Sequence, residues 1–157
     1  MMNTQRINRL GITIPKLAGP FGAYVPAQQS GQLLFVSGQL PMKDGQLLAS
    51  GPVPSVCSVD TAKAAAVQCV INALAAIEST RVSINDIVAV TRVGVFVSSD
   101  ATFYDHPAIA NAASELLHKI FGDETGQHAR TSVGVTALPL NASVEIDFVF
   151  TIAPERN

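Results

Sequence analysis

Arg130, Ser132, Glu145 and Asp147 are the residues whose types and spacing could do chemistry on a small molecule. The run 130–137 alternates as a strand does, with Arg130, Ser132, Gly134 and Thr136 on one side and Val133, Val135 and Ala137 on the other. The run 143–152 alternates too, setting Val144, Ile146, Phe148 and Phe150 against Glu145, Asp147, Val149 and Thr151. The short link Leu138-Pro139-Leu140-Asn141 predicts a hairpin, and burying both apolar sets on one face would put Arg130, Ser132, Glu145 and Asp147 together on the other. An arginine fork suits a planar carboxylate, which it holds by two parallel charge-assisted hydrogen bonds. A glutamate beside it could move a proton or position a water. Two readings stay open here. One is a solvent-facing sheet surface, where such charges are normal and contribute little. The other is a site that a ligand or a second subunit approaches closely, which the small Ser132 and Gly134 within a strand favour.

Other chemistry-bearing residues carry less. His106, His118 and His128 have no metal-ligand spacing and read as surface or capping residues, although His128 would share the face of Arg130 if the strand reaches that far. Cys57 and Cys69 lack any Cys-x-x-Cys or neighbouring His and read as packing residues of a reducing compartment. Ser37-Gly38 lacks the elbow and base of a serine nucleophile. Arg92, inside an otherwise apolar run, needs a partner, expected as a carboxylate or carbonyls across a subunit interface.

The elements that must position these residues follow from periodicity and punctuation. Gly19-Pro20-Phe21-Gly22 predicts a turn after a loose or edge-strand start at Met1–Lys16. Ala23-Tyr24-Val25 and Leu33–Ser37 read as strands joined through Gln28–Gln32, with a further short strand at Gln46–Ala49. Ser58 or Asp60 caps a helix over Thr61–Glu78, whose few polar residues do not line one face, so most of it should be covered. The valine-rich Ile87–Val97 reads as a central strand buried on both faces. Pro107 opens a second helix over Ala108–Phe121, which Gly122 stops. With the last two strands the order is βββαβαββ, an α+β chain expected as a single domain over residues 1–157.

Composition narrows the function. Only 14% of the residues are charged against 48% apolar, less charge than a monomer of 157 residues usually shows to water, which points to an oligomer. A net charge of −2 with ten scattered Lys and Arg leaves no basic track for a phosphate backbone, so nucleic acid is disfavoured. No apolar run approaches the roughly 18–20 residues of a membrane span, and the N-terminus lacks a secretory pattern, so a cytoplasmic chain is expected.

The chain resembles the RidA/YjgF family of reactive-intermediate deaminases, also labelled endoribonuclease L-PSP. The likeness runs from about Gly19 to Ala153. It rests on Gly19-Pro20 with Tyr24, on Phe35-Val36-Ser37-Gly38-Gln39-Leu40-Pro41, on Asn85-Asp86-Ile87-Val88, and on Ala129-Arg130-Thr131-Ser132-Val133 followed by Leu138-Pro139 and Val144-Glu145-Ile146-Asp147. The resemblance implies a chorismate-mutase-like fold, one mixed sheet with two helices on one face, and a homotrimer with clefts between subunits. It implies that Arg130 binds a carboxylate and Glu145 is the catalytic carboxylate, with Tyr24, Ser37, Gly38, Asn111 and Ser132 in the substrate site. The implied activity is hydrolysis of enamines and imines such as 2-aminoacrylate to a 2-keto acid and ammonia, with no metal or cofactor. Keto-acid binding without turnover is the alternative, and a ribonuclease or translation inhibitor the third. Ser132 stands where such deaminases often carry cysteine, Pro26 replaces a polar residue, and the stretch from Asn111 to Arg130 is longer than usual.

Overall fold

The computed structural model describes residues 1–17, 19 and 22–154. Five strands form one mixed sheet in the order β1-β2-β7-β5-β6, with β1 at Ala27–Ser30, β2 at Leu33–Gln39, β5 at Ile87–Ser98, β6 at Ala129–Val135 and β7 at Val144–Ile152. A two-residue ribbon, β3 (Met42–Lys43) and β4 (Gln46–Leu47), stands apart from it. Two long helices, α2 (Val59–Glu78) and α3 (His106–Phe121), pack on one face. The α+β architecture with two helices on one face of a mixed sheet is the expected one.

Local chemistry accounts for the elements. Gly31, at φ 59°, allows a two-residue loop that sets Ser30 opposite Leu33, so the first strand forms at Ala27–Ser30 and not at Ala23–Val25 as expected. The predicted turn at residues 19–22 lies partly outside the described residues. Ser58 caps α2 by accepting a hydrogen bond from the Thr61 amide at 3.1 Å. Gln68 and Asn72, expected to break the apolar surface of α2, are buried and joined by hydrogen bonds: Gln68 donates to Asn72, which donates to the Leu40 and Met42 carbonyls.

Two expectations are corrected. The opening segment is a helix, α1 at Asn3–Arg9, rather than an edge strand. Its reason is tertiary: Ile7 enters the core, Asn3 donates to the Ile84 carbonyl, and Arg6 donates to the Phe121 carbonyl at the end of α3. The second correction concerns the last two strands, which do not form a hairpin. β6 pairs in parallel with β5 across α3, a βαβ unit, and β7 then inserts antiparallel between β5 and β2. The link through Pro139–Asn141, with Leu140 and Asn141 at positive φ, carries the chain past the end of β5.

This topology reverses the predicted faces of β6 and leaves those of β7 as expected. Directly paired residues point to the same side of a sheet. Val93 pairs with both Arg130 and Phe148, and Val95 with both Ser132 and Ile146, so Arg130 and Ser132 lie on the helix-covered side. Phe96 pairs with both Val133 and Glu145, which therefore lie on the helix-free side. Arg130 and Glu145 do not share a face. They stand two strands apart, roughly 10 Å laterally, on opposite sides of the sheet.

Candidate functional site

The site residues fall into two half-sites. The first runs along the edge strand β6 under α3. Arg130 Nη1 donates to Asn111 Oδ1 at 2.8 Å and to Ser114 Oγ at 3.1 Å. Asn111 and Ser114 are one turn apart on α3, so they present together to the strand. The directions of the neighbouring bonds are fixed by elimination. The Gly126 carbonyl, 2.7 Å from His128 Nδ1, can only accept, so Nδ1 carries the proton. In the neutral ring Nε2 then accepts from Ser114 Oγ at 2.8 Å, leaving the Ser114 oxygen to accept from Arg130. Burial, opposed by the Gly126 carbonyl and assisted by the His118 and Arg130 charges, holds His128 below its ordinary value, which keeps the ring neutral.

The consequence is an arginine oriented entirely by neutral groups. Among the described residues no carboxylate pairs with Arg130, and the one ion pair is Arg92 with Asp147. Its charge is uncompensated and part of its fork is uncommitted, which is the condition for holding an incoming anion. Next along the same face, the buried Ser132 hydroxyl has no partner among the described residues. Beyond it, Gly134 lies beneath His106, whose Nε2 is 3.0 Å from Ser99 Oγ, and a Cβ at Gly134 would collide with both side chains.

The second half-site surrounds Gly38 on the helix-free side. Between Val36 and Gln39 the register with β7 slips by one residue, a bulge containing Ser37 and Gly38. The Glu145 carboxylate rests against the Gly38 Cα, where any Cβ would clash with it, so only glycine permits this placement. Ser37 is committed structurally: its hydroxyl donates to the Val25 carbonyl at 2.7 Å and its amide to Pro26 at 2.9 Å, which fixes the segment bearing Tyr24. Tyr24 is about half exposed, 51% of its surface being open. Burial, and behind it the charge of Asp147, raises the Glu145 carboxyl above its ordinary value.

Tyr24, Ser37, Gly38 and Glu145 thus gather on one half-site, and Asn111, Arg130 and Ser132 on the other. Ser114 and His128 complete the arginine's support. Ser114 was legible only as the residue one turn beyond Asn111, and His128 only through strand parity. Arg92 finds a carboxylate partner, Asp147 of its own chain at 3.1 Å, and at about 40% exposure that pair contributes little. No group of three or more His, Cys, Asp or Glu among the described residues could hold a metal. No described helix is long and apolar enough to cross a membrane.

The fold recurs in known proteins. Residues 4–152 match the model of the YjgF/chorismate mutase-like family, whose description adds an unproven endoribonuclease activity. The chain belongs to the RidA/YjgF family. The match takes in α1, so the opening helix lies within the family's span and not outside it, as the residue-level likeness from Gly19 suggested. This family member is 37% identical over 141 residues to protein TCP17 of Trypanosoma cruzi, covering 90% of this chain and 88% of that one. It is 30% identical over 142 residues to a 2-iminobutanoate/2-iminopropanoate deaminase of Dermatophagoides farinae, covering 90% and 94%. Its structure is similar to that of protein Atu1372 from Agrobacterium tumefaciens, with a TM-score of 0.85 and 38% identity over 96% of this chain and 92% of that one.

Proposed function

We propose that the chain hydrolyses small imine and enamine carboxylates to 2-keto acids and ammonia, in sites completed between copies of itself. The observation that carries this reading is the uncompensated Arg130 fork, oriented by Asn111 and Ser114 without any carboxylate partner among the described residues. Arg130 binds the substrate carboxylate. The raised Glu145 carboxyl serves at the reacting carbon, and it must come from another copy because its own chain holds it across the sheet from Arg130. The helix-free face supports such contact: Phe35 and Val133 remain 44% and 39% exposed there, an apolar surface suited to a subunit interface, and a homotrimer would close it.

The chemistry needs no redox partner. The enamine takes a proton at carbon to become an iminium. Water, deprotonated by the Glu145 carboxylate, forms a C–O bond at the iminium carbon C2, next to the protonated one. The amine then takes that proton, and the C–N bond breaks as the hydroxyl gives up its own proton to form the carbonyl. The products are a 2-keto acid and ammonium. Glu145 is suited to shuttle that proton because its raised pKa brings it closer to working pH.

Complementation tests the shared site. Arg130→Ala and Glu145→Gln should each abolish ammonia release from imines made in situ by an amino-acid oxidase. Co-assembled at equal amounts, random mixing returns about a quarter of the sites with both native residues, and so about a quarter of the activity. No recovery from a confirmed mixed assembly would rule out the shared site, and a wild-type protein no faster than buffer would rule out the hydrolase. Thermal stabilisation by keto acids without turnover would favour a binding role instead.

A further inference from the structure

A cleft of about 670 Å³ lies between the segment after α1, the end of β2, the β3–β4 ribbon and α2. A three-carbon imino acid would occupy a small part of it. Ile12, Leu40, Ile71 and Ala75 supply apolar wall, and Gly38 and Tyr24 border it. Gly38 is therefore common to the lining of the cleft and to the seat of Glu145, and it is the residue that joins the two.

Thr13, Lys16, Lys43 and Asp44 also line it and are exposed, but one buried polar side chain on its wall has an open group whose identity is fixed. Asn72 donates to two backbone carbonyls at 2.9 Å each, so its amide nitrogen is assigned and its Oδ1 must accept. Gln68 must then present its NH₂ to that Oδ1, at 2.9 Å. The Gln68 Oε1 that remains accepts no hydrogen bond among the described residues, and Gln68 lines the cleft. An acceptor without a donor in a mostly apolar cleft favours a ligand with an apolar body and a donor at its far end.

Building on the proposed imine chemistry, we infer that the preferred substrates are 2-imino acids with large apolar side chains, best those ending in a donor such as a phenol, with the side chain seated in this cleft. The test has two readouts. In the first, imines are generated by an amino-acid oxidase from alanine, phenylalanine and tyrosine, and hydrolysis is followed by competition with semicarbazide. kcat/KM for the tyrosine imine should exceed that for the alanine imine at least tenfold, with phenylalanine between them. Ile71→Trp, which fills the cleft, should lower the aromatic-to-alanine ratio at least fivefold. An order that is flat or favours alanine overturns the inference while leaving the hydrolase intact. In the second readout, the 2-keto acids of the same three amino acids are compared by thermal shift on wild-type protein, which needs no turnover. If no imine is accelerated, the hydrolase fails, and the cleft is still judged: a shift no larger for the aromatic keto acids than for pyruvate overturns it.

Discussion

Gly38→Ala tests whether the placement of Glu145 matters to the reaction. The added Cβ would overlap the Glu145 carboxylate, which must retreat by more than about 1 Å to reach ordinary contact. Glu145 is only half-buried and can yield toward solvent, so the cost to the fold sits near the low end for overpacking, about 1 kcal/mol. For a chain of this size that is a fall in Tm of roughly 2–4 °C. Catalysis should suffer more, because a 1 Å displacement of a proton-transfer group can cost about a hundredfold in rate, or roughly 2.7 kcal/mol. The assay is kcat/KM for imine hydrolysis beside a thermal melt of the same preparation. Placed on Glu145→Gln, the alanine should cost no further activity, since the displaced group is already inert. A folded Gly38→Ala protein with kcat/KM within threefold of wild type would refute the reasoning, as would a full additional loss in the double variant.

Four further outcomes follow. Arg130→Lys keeps the charge but loses the fork and its paired bonds to Asn111 and Ser114, so thermal stabilisation by a keto acid should fall at least tenfold in apparent affinity, measured by titrated melts. Glu145 has a raised folded pKa, so its contribution to stability is complete below its ordinary value of 4.5 and is lost as pH climbs through the raised one. Glu145→Gln should therefore melt higher than wild type at pH 7 and converge with it near pH 4, while losing activity. His128 is depressed instead, so the unfolded chain takes up its proton first, and stability falls as pH drops from 6.5 through the lowered value. His128→Gln should flatten that acid limb in melts taken across it. Finally, Val133→Asp puts a charge on the helix-free face, and light scattering should show the assembly dissociating together with loss of hydrolysis.

Much of the local architecture is written in the chain. Ser58, Pro107 and Gly122 delimit α2 and α3 because caps and breakers act through neighbouring backbone, and the valines of Ile87–Val97 mark a strand. Only its helix-covered face, with Val93, Val95 and Val97, is fully buried, while Val88 and Arg92 keep exposed surface, so the expected burial of both faces is not met within one copy. The likeness around Arg130 and Glu145 identifies the family. What strand parity could not decide was pairing. Parity says which residues of one strand share a face, but not which face of the sheet that is, and an eight-residue link such as 136–143 serves a hairpin or a passage over a neighbouring strand equally well. Only the insertion of β7 between β5 and β2 puts Arg130 beneath α3 and Glu145 on the opposite side. The opening helix was invisible for a similar reason: its anchors are Ile84 and Phe121, more than seventy residues away. The sequence by itself determined which side chains are available for the chemistry. The tertiary structure decided that one copy of the chain holds them apart, because long-range strand pairing, unlike capping or alternation, leaves no local trace.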